Sequence, residues 1–190
     1  GRRLFPCWFG SALRDRGVDE LLAGLARYVP APEHGPAFGA LVYKISRDGQ
    51  GARLTWLKVT GGALRVKDTL SNARPGLEEN ALWSDKADQL RLYSGEKYEL
   101  AEEAPAGTLC AVTGLSRSRP GDALGAQPPL PAPALEPVLT CQVLFDRDPH
   151  TVLPLLRQLE EEDPQLHLRW QEQTGQLFLQ VMGEVQLEVL

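Results

Sequence analysis

Three histidines, three cysteines and one dense run of carboxylates are the side chains whose types could ligate a metal or move a proton. His34, His150 and His167 fall in different segments with no Cys or carboxylate at metal-ligand spacing, so no zinc site is expected. Glu160-Glu161-Glu162-Asp163 has the charge to attract a divalent ion, but acids that close an amphipathic segment read better as a solvated helix end. Cys7, Cys110 and Cys141 are odd in number and far apart, which suits buried thiols in a reducing compartment. Neither G-x-x-x-x-G-K-[ST] nor G-x-G-x-x-G nor G-x-S-x-G occurs, so no catalytic residue is assigned. Trp8, Trp56, Trp83 and Trp170 are scattered and read as core or edge aromatics, not as a base-stacking platform.

The elements that would position these residues fall into three segments. In the first, Gly17 caps a helix whose face is Val18, Leu21, Leu22, Leu25 and Val29, with Asp19 and Glu20 in its first turn; Pro30-Ala31-Pro32 stops it. The opening to Gly10 reads as a strand. From 36 to 125 short strands are expected at Phe38–Ile45, Arg53–Val59, Ala63–Val66, Gln89–Leu92 and Thr108–Leu115, punctuated by Asp48-Gly49-Gln50-Gly51, Gly61-Gly62 and Ser94-Gly95. That density favours a closed β-barrel. A stiff Pro-rich linker covers 126–135.

The third segment, 136–190, reads strand, helix, strand, strand. Val138–Phe145 comes first; a helix begins near Thr151 with Val152, Leu155, Leu156 and Leu159 on one face, which keeps Pro154 in the first turn. Leu166, Leu168 and Trp170 alternate, Gln173-Thr174-Gly175 turns, and Leu177, Leu179 and Val181 alternate again. This is an incomplete ferredoxin-like split β-α-β unit lacking its second helix and last strand, so the fold class is mainly β with α+β. Met182 to Leu190 starts a helix that the sequence does not complete, residue 1 is Gly, and the only Met is Met182, so a fragment of a larger protein is expected.

The 190 residues are 43% hydrophobic, enough to bury real cores, and no apolar run approaches the ~20 residues of a membrane helix. A cytoplasmic monomer without membrane contact is expected. The net charge of −5 is uneven: residues 136–190 hold three basic against ten acidic side chains, whereas 1–35 and 36–130 are close to neutral. An acidic surface disfavours broad phosphate binding, so any nucleic-acid contact must be local. These readings leave open an independent barrel that binds a ligand in an apolar mouth, or a small α+β enzyme built on clustered, perturbed acids and bases.

Phe9-Gly10-Ser11-Ala12-Leu13, Gly17-Val18-Asp19-Glu20-Leu21-Leu22 and Tyr28-Val29-Pro30-Ala31-Pro32 resemble the end of the G domain in translational GTPases of the elongation factor G superfamily. Phe38 to Ile45, Lys58 to Leu64, Ala106 to Leu115 and Pro120-Gly121-Asp122-Ala123-Leu124 resemble its second domain. Glu136-Pro137-Val138-Leu139, Leu159 to Pro164 and Met182 to Val189 resemble its third. The matches are collinear over nearly the whole chain. Gln186, where the family's M-G-E-L-H-L-E motif has His, and Lys67-Asp68, where a Gly-Asp turn is usual, resemble the tetracycline-resistance ribosomal protection proteins. The turn Pro120-Gly121-Asp122 stays like the elongation factor, and a conventional translocase is the alternative.

The resemblance implies a ribosome-docking middle segment: strand and helix of a G domain at 1–35, a barrel (domain II) at 36–125 and a truncated domain III at 136–190. The parent would be a ribosome-stimulated GTPase using GTP and Mg²⁺. Of its nucleotide pocket only the guanine-contacting loop Ser11-Ala12-Leu13 is present here, so this chain is expected to have no cofactor, no metal and no GTPase activity of its own. The implied partners are small-subunit rRNA and a ribosomal protein. Lys44, Arg47, Lys58, Arg65, Lys67, Arg117 and Arg119 lie near turns or strand ends within reach of a phosphate backbone, whereas the acidic third segment would face protein.

Overall fold

A computed structural model describes residues 5–74, 76–131, 133, 135–146 and 148–190, which form two compact units, 1–33 and 34–190. In the first unit, α1 (Val18–Tyr28) starts at Gly17, whose φ of 78° is the left-handed region glycine adopts freely. Trp8 packs against the helix at Gly24, where a Cβ would stand 2.0 Å from the indole. The stripe Leu21, Leu22, Leu25 and Val29 is solvent-exposed. The expected opening strand does not form: residues 5–10 have no ladder partner, and pairing is limited to the Ser11–Arg16 bridge. Residues 1–4 lie outside the described residues.

The second unit opens with β1 (Gly39–Arg47), β2 (Arg53–Gly61), β3 (Ala63–Arg65), β4 (Thr69–Ser71), β5 (Ser84–Lys86), β6 (Gln89–Ser94), β7 (Lys97–Ala101), β8 (Glu103–Pro105), β9 (Leu109–Thr113) and β10 (Ala123–Gly125). Six of them form one antiparallel sheet in the order β10-β1-β2-β9-β6-β7, while β3-β8 and β4-β5 are separate ribbons. The wall is therefore not one closed ladder. Sheet and ribbons meet around a single core: Val42, Leu57, Val59, Leu90 and Val112 from the sheet, Leu64 and Ala104 from one ribbon, Leu70 from the other. Each fully buried leucine there contributes roughly 2 kcal/mol of transfer energy. The expected strands are present with ends shifted by one or two residues. The ribbons and β10 are three residues long, too short to show a period of two, and β7 is an exposed edge.

Beyond the linker come β11 (Leu139–Val143), α2 (Pro149–Glu162), β12 (Arg169–Gln171), β13 (Gln176–Val181) and α3 (Glu184–Val189). The sheet order β11-β13-β12 is antiparallel throughout, so β11 and β12 run parallel with β13 between them and α2 as the crossover, a split β-α-β unit. The fold is β-rich α+β, as the spacing predicts. Three details differ. Asp148 accepts from His150 N and starts α2 two residues early, so Pro154 sits inside the helix. The inward stripe is Leu153, Leu156 and Leu159; Leu155 is exposed. Pro164–Leu166 is a 3-10 turn followed by His167 in the left-handed region, so the strand there shortens to β12. The final helix does form, with Val185 and Val189 facing solvent.

Candidate nucleic-acid interface

The loop that follows β9 is braced from several sides by side chains distant in the sequence. Gly114 turns the chain at φ 94°, where a Cβ would meet Lys86 O at 2.5 Å, and Leu115 anchors the loop in the core. Asp85 then takes Ser116 by both its amide and hydroxyl, at 2.8 and 3.0 Å, with Arg117 N at 3.4 Å. Burial pushes the Asp85 carboxyl up, but those donors outweigh it and hold it below its ordinary value. Asp122 does the same work at the far side, accepting from Arg119 N and Trp83 Nε1, both at 2.8 Å.

Arg53 closes the arrangement from below. Its Nη1 donates to Leu115 O at 2.5 Å and Ser118 Oγ at 2.9 Å, its Nη2 to Ser118 O at 2.6 Å, and its Nε to Glu161 at 3.2 Å. Ser118 and Thr55 are both fully buried and share a hydroxyl contact of 2.8 Å. The backbone is fixed while the Arg117 and Arg119 side chains point into solvent with no partner among the described residues. Both border a cleft of about 830 Å³ between barrel loops and α2, lined also by Arg53, Arg157, Glu160, Glu161 and Asp122. Four arginines thus face three carboxylates; Arg53 pairs with Glu161 and Arg157 with Glu160, Asp122 keeps its charge because its donors are neutral, and Arg117 and Arg119 are the two guanidiniums of the lining with no carboxylate partner among the described residues. Two free guanidiniums on a rigid loop suit phosphate oxygens, which they can grip bidentately.

The other expected cations are differently placed. Lys44 is exposed with no side-chain partner among the described residues. Arg47 pairs with Glu161 at 3.2 Å, Lys58 donates to Gly107 O at 2.7 Å, and Arg65 and Lys67 pair with Glu103 and Asp88, each at 2.9 Å. These four must give up a partner to meet a phosphate. Ser11, Ala12 and Leu13 enter a 3-10 turn in the separate first unit, with Leu13 97% exposed. Sequence reasoning missed Arg53, Asp85, Ser118 and Asp122, whose roles depend on contacts far along the chain. The acidic run also corrects a reading: Glu160 accepts from Leu168 N, Glu161 holds two arginines and Asp163 takes Gln186 Nε2, so it is a hub and not a solvated end. Cys110 is buried as expected, and burial pushes its thiol up to about 11; Cys7 is exposed and Cys141 half-buried. Among the described residues no three His, Cys, Asp or Glu group as metal ligands, and no helix is long and apolar enough to cross a membrane.

Residues 135–190 match the family model Elongation Factor G, domain III. Elongation factor G 2 of Geobacter metallireducens is 32% identical and elongation factor G 1 of Geobacter sulfurreducens 30% identical, each over 99% of this chain. The chain spans 30% of the length of either. A crystal structure of a Thermus thermophilus protein superposes with a TM-score of 0.70 at 28% identity, covering 93% of this chain and 27% of that one. These similarities support the translational GTPase superfamily. Gln186 and Lys67 both have structural roles. Gln186 accepts from Met182 N at 2.8 Å and donates to Asp163 at 2.9 Å, tying α3 to the end of α2. Lys67 adopts φ 72°, the conformation a glycine would take there without strain.

Proposed function

We propose that this chain is the ribosome-docking middle segment of a GTP-binding translation factor, and that it meets small-subunit rRNA through the barrel loop carrying Arg117 and Arg119. The observation that carries the reading is the pairing of a braced backbone with two unpartnered guanidiniums, since the loop is already ordered and only side-chain rotamers remain to be fixed when they seize a phosphate. Lys44 adds a third free cation, and Arg47, Lys58, Arg65 and Lys67 are reserve contacts that exchange an internal partner for a phosphate. The acidic 136–190 segment faces a ribosomal protein or the parent's other domains. The parent hydrolyses GTP with Mg²⁺ on the ribosome through motifs that do not occur in these 190 residues; Ser11, Ala12 and Leu13 supply one edge of its guanine pocket.

The narrower reading, the tetracycline-resistance ribosomal protection branch, rests on Gln186 and Lys67-Asp68. A conventional elongation factor G-type translocase is the alternative, favoured by the names of the relatives. Expression of the full-length protein in a tetracycline-sensitive host separates them: an unchanged inhibitory concentration selects the translocase. Docking itself is tested by sedimenting the 190-residue chain with purified small subunits across a salt series. Replacing Arg117 and Arg119 by Ala should weaken binding and lower the slope of log affinity against log salt by ~0.7–0.9 for each phosphate that the loop no longer neutralises. Equal affinity and slope for variant and parent would remove the loop from the interface.

A further inference from the structure

Among the described residues, every side-chain hydrogen bond between the barrel and the α2 unit ends on one atom, Glu161 Oε2, which receives Arg47 Nη2 and Arg53 Nε at 3.2 Å each. Arg53 is at the same time the brace of the Arg117–Arg119 loop through its other two nitrogens. A guanidinium is planar and its donor directions are fixed relative to one another, so the direction its Nε takes toward α2 also sets the aim of the fork that holds the loop.

We propose that Arg53 is a positioning residue that couples the seating of α2 on the barrel to the geometry of the loop presenting Arg117 and Arg119. With Glu161 in place, the guanidinium plane is held from both sides and the loop carbonyls of Leu115 and Ser118 keep their donors. When α2 moves off, Nε loses its acceptor, one of the anchors that fix the guanidinium plane is gone, and the loop backbone that presents the two exposed arginines loosens. The coupling is reciprocal: an anionic strand seated on the two arginines favours the α2-docked arrangement. That functional consequence rests on the phosphate-contact reading above, whereas the coupling does not.

The test uses the 190-residue chain without RNA. Hydrogen exchange is followed at the amides of Ser116, Arg117 and Arg119, and protease cleavage within 126–135 reports separation of α2 from the barrel. Glu161 is 42% exposed, so Glu161→Ala folds with its core intact. It should speed both processes by about two- to fivefold, the range that loss of a partly exposed ion pair allows, while the amides of the β3-β8 ribbon keep their parent rates. The unmutated chain in ~1 M salt, where charges are screened beyond about 3 Å, should move in the same direction. Arg47→Ala removes one of the two contacts that seat α2 but leaves Arg53 on Glu161, so it should speed loop exchange less than Glu161→Ala does. Faster linker cleavage with unmoved loop amides, no change in either, or equal loop loosening by Arg47→Ala would each overturn the coupling. A failed rRNA contact would show only in the Arg117 and Arg119 titration.

Discussion

Replacing Arg53 by Ala should be the most damaging single change on the barrel surface. The side chain is 14% exposed, and its removal strips donors from Leu115 O and Ser118 O while leaving the Thr55–Ser118 hydroxyl pair without its neighbour. A buried acceptor that loses a charged donor costs ~1.5–3 kcal/mol, part of which water entering the vacated space returns. The ion pair with the 42% exposed Glu161 adds less than ~1 kcal/mol, because solvent screens it. The expected loss is about 3 kcal/mol. Urea unfolding followed by tryptophan emission, with Trp83 in the core as the reporter, would then show a midpoint shift of ~1–2 M for a slope near ~2 kcal/mol/M. Arg53→Lys keeps the charge but offers one ammonium where three directions are needed, so it should recover less than half of the loss. A loss under ~1 kcal/mol for Arg53→Ala, or full recovery by Lys, would show that the loop is held by Asp85 and Asp122 alone.

Lys67→Gly should stabilise the barrel by about 0.5 kcal/mol, since relief of the left-handed backbone at φ 72° exceeds the loss of an exposed pair with Asp88; a lower thermal midpoint would refute this. Asp85 has a folded-state pKa below its ordinary 3.8, so its contribution is complete at neutral pH and is lost as the pH falls through that region. Asp85→Asn should therefore be less stable than the parent at pH 7 and converge with it in acid, as denaturant midpoints over a pH series would record.

The framework was readable because its signals are local. Alternation in Arg53 to Val59 and in Leu177 to Val181, and the turns at Gly61-Gly62 and Ser94-Gly95, depend on neighbours a few residues apart, and each placed its element to within two residues. The three-residue ribbons carry no such signal, because β3 and β8 gain their identity only by pairing with each other far along the chain. On α2, Leu153 takes the inward place expected of Val152 and Leu155: all three are apolar, and the sheet beneath selects among them. Cations could be named from sequence, but not which were free. Lys58 is engaged by Gly107 O, 49 residues away, whereas Asp85, 32 residues from Arg117, takes only that residue's backbone amide and leaves its guanidinium without a partner among the described residues.

Cys110 gives the barrel a built-in clock. Its thiol lies in the core at zero exposure, and burial holds its pKa near 11, so only about a thousandth is thiolate at pH 8. Any reagent must wait for the wall to open. Cys7 is reachable at once and Cys141 is only partly covered, so the three sulfurs of one unmodified chain react on separate schedules. The slowest of them times the breathing of the barrel itself, and a ribosomal subunit that clamps the barrel would lengthen that interval without touching the sulfur.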